Sequence, residues 1–169
     1  MLIAMSAPSP KLVRTDAILG RASASSRIEA PPARVYSILA DYNQHHPRVL
    51  PPEYFKSLKV EEGGVGAGTR VHVTMRVLGT TISFRHIVSE PEPGRVLIES
   101  DADGSTAASF TVDPLDSGAA CMLTISTDFT TQRRGILGRI ERYMTISTLR
   151  RIYRKELSLI AKYAQEAGA

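Results

Sequence analysis

The chain has 169 residues, 43% apolar and 22% charged, which suits one globular domain with a core of its own and leaves no room for a second of ordinary size. Aromatics are only 6%, with no tryptophan, which argues against a tryptophan platform for carbohydrate. A net charge of +4, from 21 Lys and Arg against 17 Asp and Glu, is too mild for a dedicated nucleic-acid binder. Cys121 is the one cysteine, which excludes intrachain disulfides, zinc ribbons and CxxC redox motifs and suits a reducing compartment. No apolar run approaches the roughly 20 residues needed to cross a bilayer, so a cytoplasmic location is expected.

Residues 1–16 show no period and read as a flexible N-terminal arm; residues 17–169 read as a single domain. From Arg21 to Ile28 the alternation places Ala22, Ala24, Ser26 and Ile28 on one strand face, a wall of small side chains suited to leaving space in front of it. Pro31-Pro32 then opens a short helix, with Val35, Ile38 and Leu39 as its buried stripe. Beyond the prolines at 47, 51 and 52 the period becomes two. Phe55 to Glu62 reads as a strand, and a glycine-rich turn leads to Val71, Val73, Met75 and Val77 alternating with polar residues. Further strands carry Ile82, Phe84, His86 and Val88, then Val96 to Ser100, then Ala108, Phe110 and Val112, then Cys121, Leu123, Ile125, Thr127 and Phe129. Asp101 and Asp103 flank a turn and read as solvated.

After Arg134 a helical period runs for about thirty residues. Its second half has the stripe Leu149, Tyr153, Leu157, Ile160 and Ala164; its first half has Ile136, Ile140, Tyr143 and Met144, pointing roughly 130° away at about 100° per residue. Thr145-Ile146-Ser147-Thr148 between them has weak helix propensity, so a bend is expected there, turning the first half into a gate. The expected class is α+β: an antiparallel sheet gripping a C-terminal helix.

Ile28-Glu29-Ala30-Pro31-Pro32, Val35-Tyr36, Leu39 and Asp41-Tyr42 resemble the opening signature of the START-like or Bet v 1-like superfamily, particularly its polyketide cyclase/dehydrase and lipid-transport branch. Gly66-Ala67-Gly68-Thr69-Arg70 resembles that family's glycine-rich hairpin, Glu90 to Arg95 its E-x-x-P-x-R turn, and Glu156 to Tyr163 its final helix. Many relatives carry tryptophan where this chain has His46-Pro47, so no ligand stacking is expected there. The resemblance implies a helix-grip fold, in which a curved sheet of about seven strands surrounds the long helix, with one or two short helices after the first strand. It also implies a cavity for a hydrophobic small molecule such as a lipid, isoprenoid or polyketide-like compound.

The candidate lining is Tyr54, Met75, Phe84, His86, Phe110, Ile125, Phe129, Tyr143 and Met144. His86 shares a face with Phe84 and Val88, so its ring must find a protein partner or meet ligand. Two functions stay open: a non-catalytic carrier, or an aromatase/cyclase or dehydratase in which His86, with Tyr54, Tyr143 or water relaying, moves protons. His45 and His46 lack ligand spacing, so no metal is expected, and the glycines lack a phosphate-loop pattern, so no cofactor is expected. Arg133, Arg134, Arg139, Arg142, Arg150, Arg151, Arg154 and Lys155 form either a solvated basic face or a dock for an anionic membrane or an acyl carrier protein.

Overall fold

The computed structural model describes residues 18–102, 104, 106–131 and 135–166. The N-terminal arm, Asp103, Arg133 and Arg134 lie outside the described residues.

Strand β1 (Ile18–Ile28) leads into helix α1 (Pro32–Ala40) and the single turn α2 (His46–Val49). Six strands follow: β2 (Phe55–Glu62), β3 (Arg70–Val77), β4 (Thr80–Glu92), β5 (Val96–Asp101), β6 (Thr106–Leu115) and β7 (Ala120–Thr131). Helix α3 (Gly135–Glu166) closes the chain. All the strands form one antiparallel sheet in the order β1-β7-β6-β5-β4-β3-β2, so the successive hairpins lie side by side and β1 returns to pair with β7. Register shifts in β2, and between Ser89 and Glu92 where β4 meets β5, add local bends to the twist of the sheet. This is the α+β arrangement expected from the pattern of elements, and the helix-grip fold that the resemblance implied.

Proline at the start of α1 costs nothing, because a first-turn N–H has no intrahelical acceptor, and the Pro31 carbonyl accepts from the Arg34 and Val35 amides. Val35, Tyr36, Ile38 and Leu39 bury the inner face. The helix ends at Asp41, whose Oδ1 accepts from the Asn43 and Gln44 amides at 3.0 Å each and turns the chain toward α2.

The family-like motifs meet in one place. Glu90 Oε1 accepts from the Tyr36 hydroxyl at 2.5 Å and its Oε2 from the Ala67 amide at 2.7 Å, tying α1 and the β2–β3 loop to β4. Gly66 sits beside that carboxylate with φ +63°, and a Cβ there would stand 2.5 Å from Glu90 Oε2. Gly66→Ala combines left-handed strain with displacement of a two-bond clamp, and we expect it to lower stability by about 2–4 kcal/mol in urea unfolding. A loss under about 1 kcal/mol would mean that the clamp carries no weight.

The core lies between the sheet and the second half of α3. Ile152, Tyr153, Leu157, Ile160 and Ala164 are buried there, as the expected stripe requires, while Leu149 is half-buried. The small face of β1 has a different use from the one expected. Ala22 is fully buried and α3 packs mainly on β1, so the short side chains let the helix approach and do not hold space open. Gly20 serves Phe129 in the same way, with the ring covering the position where a Cβ would stand, 2.5 Å from its tip.

Two further expectations are corrected. Helix α3 is one unbroken helix of 32 residues, with no break at 145–148. The Thr145 hydroxyl donates to the Glu141 carbonyl at 2.9 Å, so a weak helix former satisfies its polar group inside the helix. The first-half stripe therefore stays outside: Tyr143 is 74% and Met144 50% exposed, alongside exposed Ile136, Leu137 and Ile140. Arg139, Arg150, Arg151 and Arg154 are also exposed on this helix. Among the described residues no helix is long and apolar enough to cross a membrane.

Candidate functional site

Between the sheet and α3 lies a cavity of about 120 Å³. Its apolar wall comes from Leu58, Val73, Met75, Phe84, Phe110, Ile125, Leu149 and Ile152, and its polar end from His46, His86, Glu99, Thr127, Tyr153 and Glu156. The volume is below the roughly 300–1,000 Å³ of drug-sized ligand sites and close to that of a cavity that admits one benzene-sized ring. The space expected in front of the small face of β1 is thus not where the cavity lies: the cavity is ring-sized and no β1 residue is among those that line it.

The polar end is organised around Glu99. Alternation along β5 turns Leu97, Glu99 and Asp101 to the inner face, where Glu99 is buried. Its Oε1 accepts from the Tyr42 hydroxyl at 2.6 Å and stands 3.7 Å from His46 Nε2. Its Oε2 is 3.5 Å from His86 Nδ1, while His86 Nε2 is 3.3 Å from Asp101 Oδ1. The pairing of His86 with Asp101 across β4 and β5 sets that geometry. These imidazole contacts are ion-pair distances, longer than a good hydrogen bond, and neither ring nitrogen of His86 has a closer partner. The ring stacks on Phe84 at 5.5 Å. His46 is fixed more firmly: its Nδ1 donates to the Leu39 carbonyl at 2.7 Å, and its ring lies flat on Tyr42 and edge-on to Phe110.

The electrostatics follow from these neighbours. Burial alone would push the Glu99 carboxyl up, but His86, His46 and Tyr42 outweigh it and hold the group below the usual carboxylate range. Burial pulls His86 down, and the carboxylates of Glu99 and Asp101 more than reverse it, favouring the imidazolium. On the opposite wall, Glu156 of α3 is 3% exposed, its Oε1 has no hydrogen-bond partner, and burial together with the charge of Glu99 pushes it up to about 8. The cavity therefore holds one ionised and one protonated carboxyl at neutral pH, the separation of roles that acid–base chemistry uses. Tyr153 spends its hydroxyl on Thr127.

Of the residues expected to line the cavity, Met75, Phe84, His86, Phe110 and Ile125 do so. Phe129 is buried but turned onto Gly20, and Tyr143 and Met144 stand outside on α3. Tyr54 packs under Lys155, whose Nζ is 5.7 Å from the ring centre and pairs with Glu53, and it is not among the residues that line this cavity. Asp101, read as solvated, faces His86. His45 lies apart from the cavity, its Nδ1 2.8 Å from the Tyr163 hydroxyl, in an open groove with Arg34 and Ile38. Among the described residues no three His, Cys, Asp or Glu side chains converge to hold a metal ion.

Glu99 and Glu156 were absent from the candidate list, although each carries a sequence signal. Glu99 alternates with Leu97, and Glu156 falls midway between Ile152 and Ile160 at spacings of four, on the apolar stripe of α3.

The fold belongs to a recognisable class. A family model described as polyketide cyclase/dehydrase and lipid transport matches residues 20–165, and the chain belongs to that family. No curated protein matches the sequence. Among solved structures, the chain is similar to the KanY protein, at 27% identity and a TM-score of 0.73 over 86% of this chain and 97% of that one. It has the fold of the ZhuI aromatase/cyclase from Streptomyces sp. R1128, at 19% identity and a TM-score of 0.73 over 90% and 97%. It also has that of a START superfamily protein from Mycobacterium smegmatis, at 14% identity and a TM-score of 0.65 over 85% and 98%.

Proposed function

We propose that the protein binds a small hydrophobic molecule in the cavity between the sheet and α3, the function that its family membership and helix-grip fold favour. The observation that carries this reading is the apolar wall of Met75, Phe84, Phe110 and Ile125 around unfilled space between the sheet and α3.

Toluene, an apolar probe of matching size, tests it. In an NMR titration the amides of Phe84, Phe110 and Ile125 are expected to shift, and Ala108→Trp, which fills the cavity from its wall, is expected to abolish those shifts. Shifts confined to the exposed stripe of α3 would overturn the reading.

A second reading, cyclase or dehydratase chemistry, is favoured by one observation: the His86 ring borders the cavity between two carboxylates while Glu156 faces the same space. In that reading the ionised Glu99 takes up a proton and the His86 imidazolium or the protonated Glu156 supplies one, at two points of a bound carbonyl compound.

A further inference from the structure

A buried hydrogen-bonding group left without a partner is costly, so the polar groups of the cavity can be followed one by one to see which of them a ligand would satisfy. The Tyr42 hydroxyl is committed to Glu99, the Tyr153 hydroxyl to Thr127 and His46 Nδ1 to the Leu39 carbonyl. His86 stands between Glu99 and Asp101. Among the described residues that line the cavity, both His86 ring nitrogens and Glu156 Oε1 are buried without a hydrogen-bond partner; the nitrogens face the Glu99 and Asp101 carboxylates at 3.5 and 3.3 Å, which leaves Glu156 Oε1 as the group a ligand would satisfy.

We infer that Glu156 is the polar anchor of the ligand, its carboxyl donating a hydrogen bond to an acceptor oxygen of a neutral, ring-sized molecule, and that the same site turns carboxylates away. The inference rests on the cavity being the ligand site. A carboxyl buried without a cation keeps its proton, since ionising it there would cost far more than in water. In that form it is a donor, and its complement is a carbonyl or ether oxygen. Rejection of anions comes from the neighbours: the His86 imidazolium is already faced by two carboxylates, Glu99 and Asp101, so an incoming carboxylate meets an end of the cavity whose charge is negative in sum. The volume of about 120 Å³ limits the occupant to about one ring in this conformation.

The titratable groups around Glu156 are Glu99 on β5, His46 on α2, His86 on β4, Tyr42 beyond α1 and Tyr153 on α3 itself. Both tyrosines are pushed upward by burial and stay neutral through the range considered. Glu156→Gln keeps a donor in place while every other group still titrates, so a pH effect lost in that variant belongs to Glu156.

The probes are cyclohexanone, which only accepts, cyclohexanecarboxylate, its anionic counterpart, and toluene as the apolar reference, each titrated by NMR into the full chain. Cyclohexanone is expected to bind wild type and Glu156→Gln within about threefold of each other and Glu156→Leu at least tenfold more weakly, while toluene binds all three alike. Its affinity for wild type is expected to fall between pH 7 and 9.5 and to stay level in Glu156→Gln, and cyclohexanecarboxylate is expected to cause no shifts at Phe84 or Ile125. Equal binding of cyclohexanone to wild type and Glu156→Leu, or binding of the carboxylate as well as the ketone, would overturn the inference and leave the cavity reading standing. Absence of toluene shifts in all three would instead remove the cavity reading on which it rests.

Discussion

Glu156→Gln is expected to leave stability nearly unchanged at pH 4.5 and to raise it at pH 8 by up to roughly 4 kcal/mol, at about 1.4 kcal/mol per pH unit of separated titration. The sign follows from where the proton sits. The folded carboxyl is pushed up to about 8, from an ordinary value of 4.5, by burial and then by the charge of Glu99. Between those two values the unfolded chain has released its proton and the folded chain still holds it, so raising the pH favours unfolding throughout that window. Above about 8 both states are ionised and the loss levels off. Glutamine copies the neutral acid and does not titrate, which removes the descent. Urea unfolding of both proteins at half-unit steps from pH 4.5 to 8.5 checks it. Parallel curves would mean that the folded protein ionises Glu156 at its ordinary value, and the protonated anchor would go with it.

The fold was legible because two periods do different work in this chain. Val71, Val73 and Met75 alternate as a sheet with one inner face must, and Tyr153, Leu157, Ile160 and Ala164 recur as a helix on that sheet must, so the architecture could be read without any contact being known. His86 was legible for the same reason, since a histidine in phase with Phe84 and Val88 has to point inward. The carboxyls were not, because Glu and Asp are almost never fully buried unless paired, and the partners that make burial of Glu99 tolerable come from three other places in the chain: Tyr42, His46 and His86. No local pattern brings those four together. Tyr143 and Met144 misled for the opposite reason. A helical stripe at correct spacing was read as buried, but α3 is longer than the sheet face it covers, and its first half stays exposed at Ile136, Leu137, Ile140, Tyr143 and Met144.

Glu99→Ala is expected to be the most damaging single change, costing about 3–5 kcal/mol, because it leaves opposite charge unpaired and a hydroxyl unsatisfied in the same buried space. Tyr42 is 1% exposed and would lose the acceptor of its 2.6 Å bond. His86 would keep only Asp101 against the burial that disfavours its charged form. On a total stability of roughly 5–15 kcal/mol such a loss is a large fraction of the whole. Glu99→Gln should cost less, about 1–2 kcal/mol, since its amide oxygen still accepts from Tyr42 and only the charge is gone. The wild type adds a pH signature. Glu99 titrates below its ordinary value in the folded protein, so its contribution is present above about pH 4.5 and is lost as the pH falls through its folded value. His86 titrates above 6.5, so its contribution is present below that and is lost as the pH rises through its folded value. Together with Glu156, whose descent begins at about pH 4.5, these place the stability maximum near pH 4.5, on the acid side of neutral. Chemical unfolding of the two Glu99 variants at pH 6 discriminates: if Glu99→Ala stays within 1 kcal/mol of wild type, the buried cluster does not hold Tyr42 and the two histidines in place, and the polar end of the cavity is maintained by packing alone.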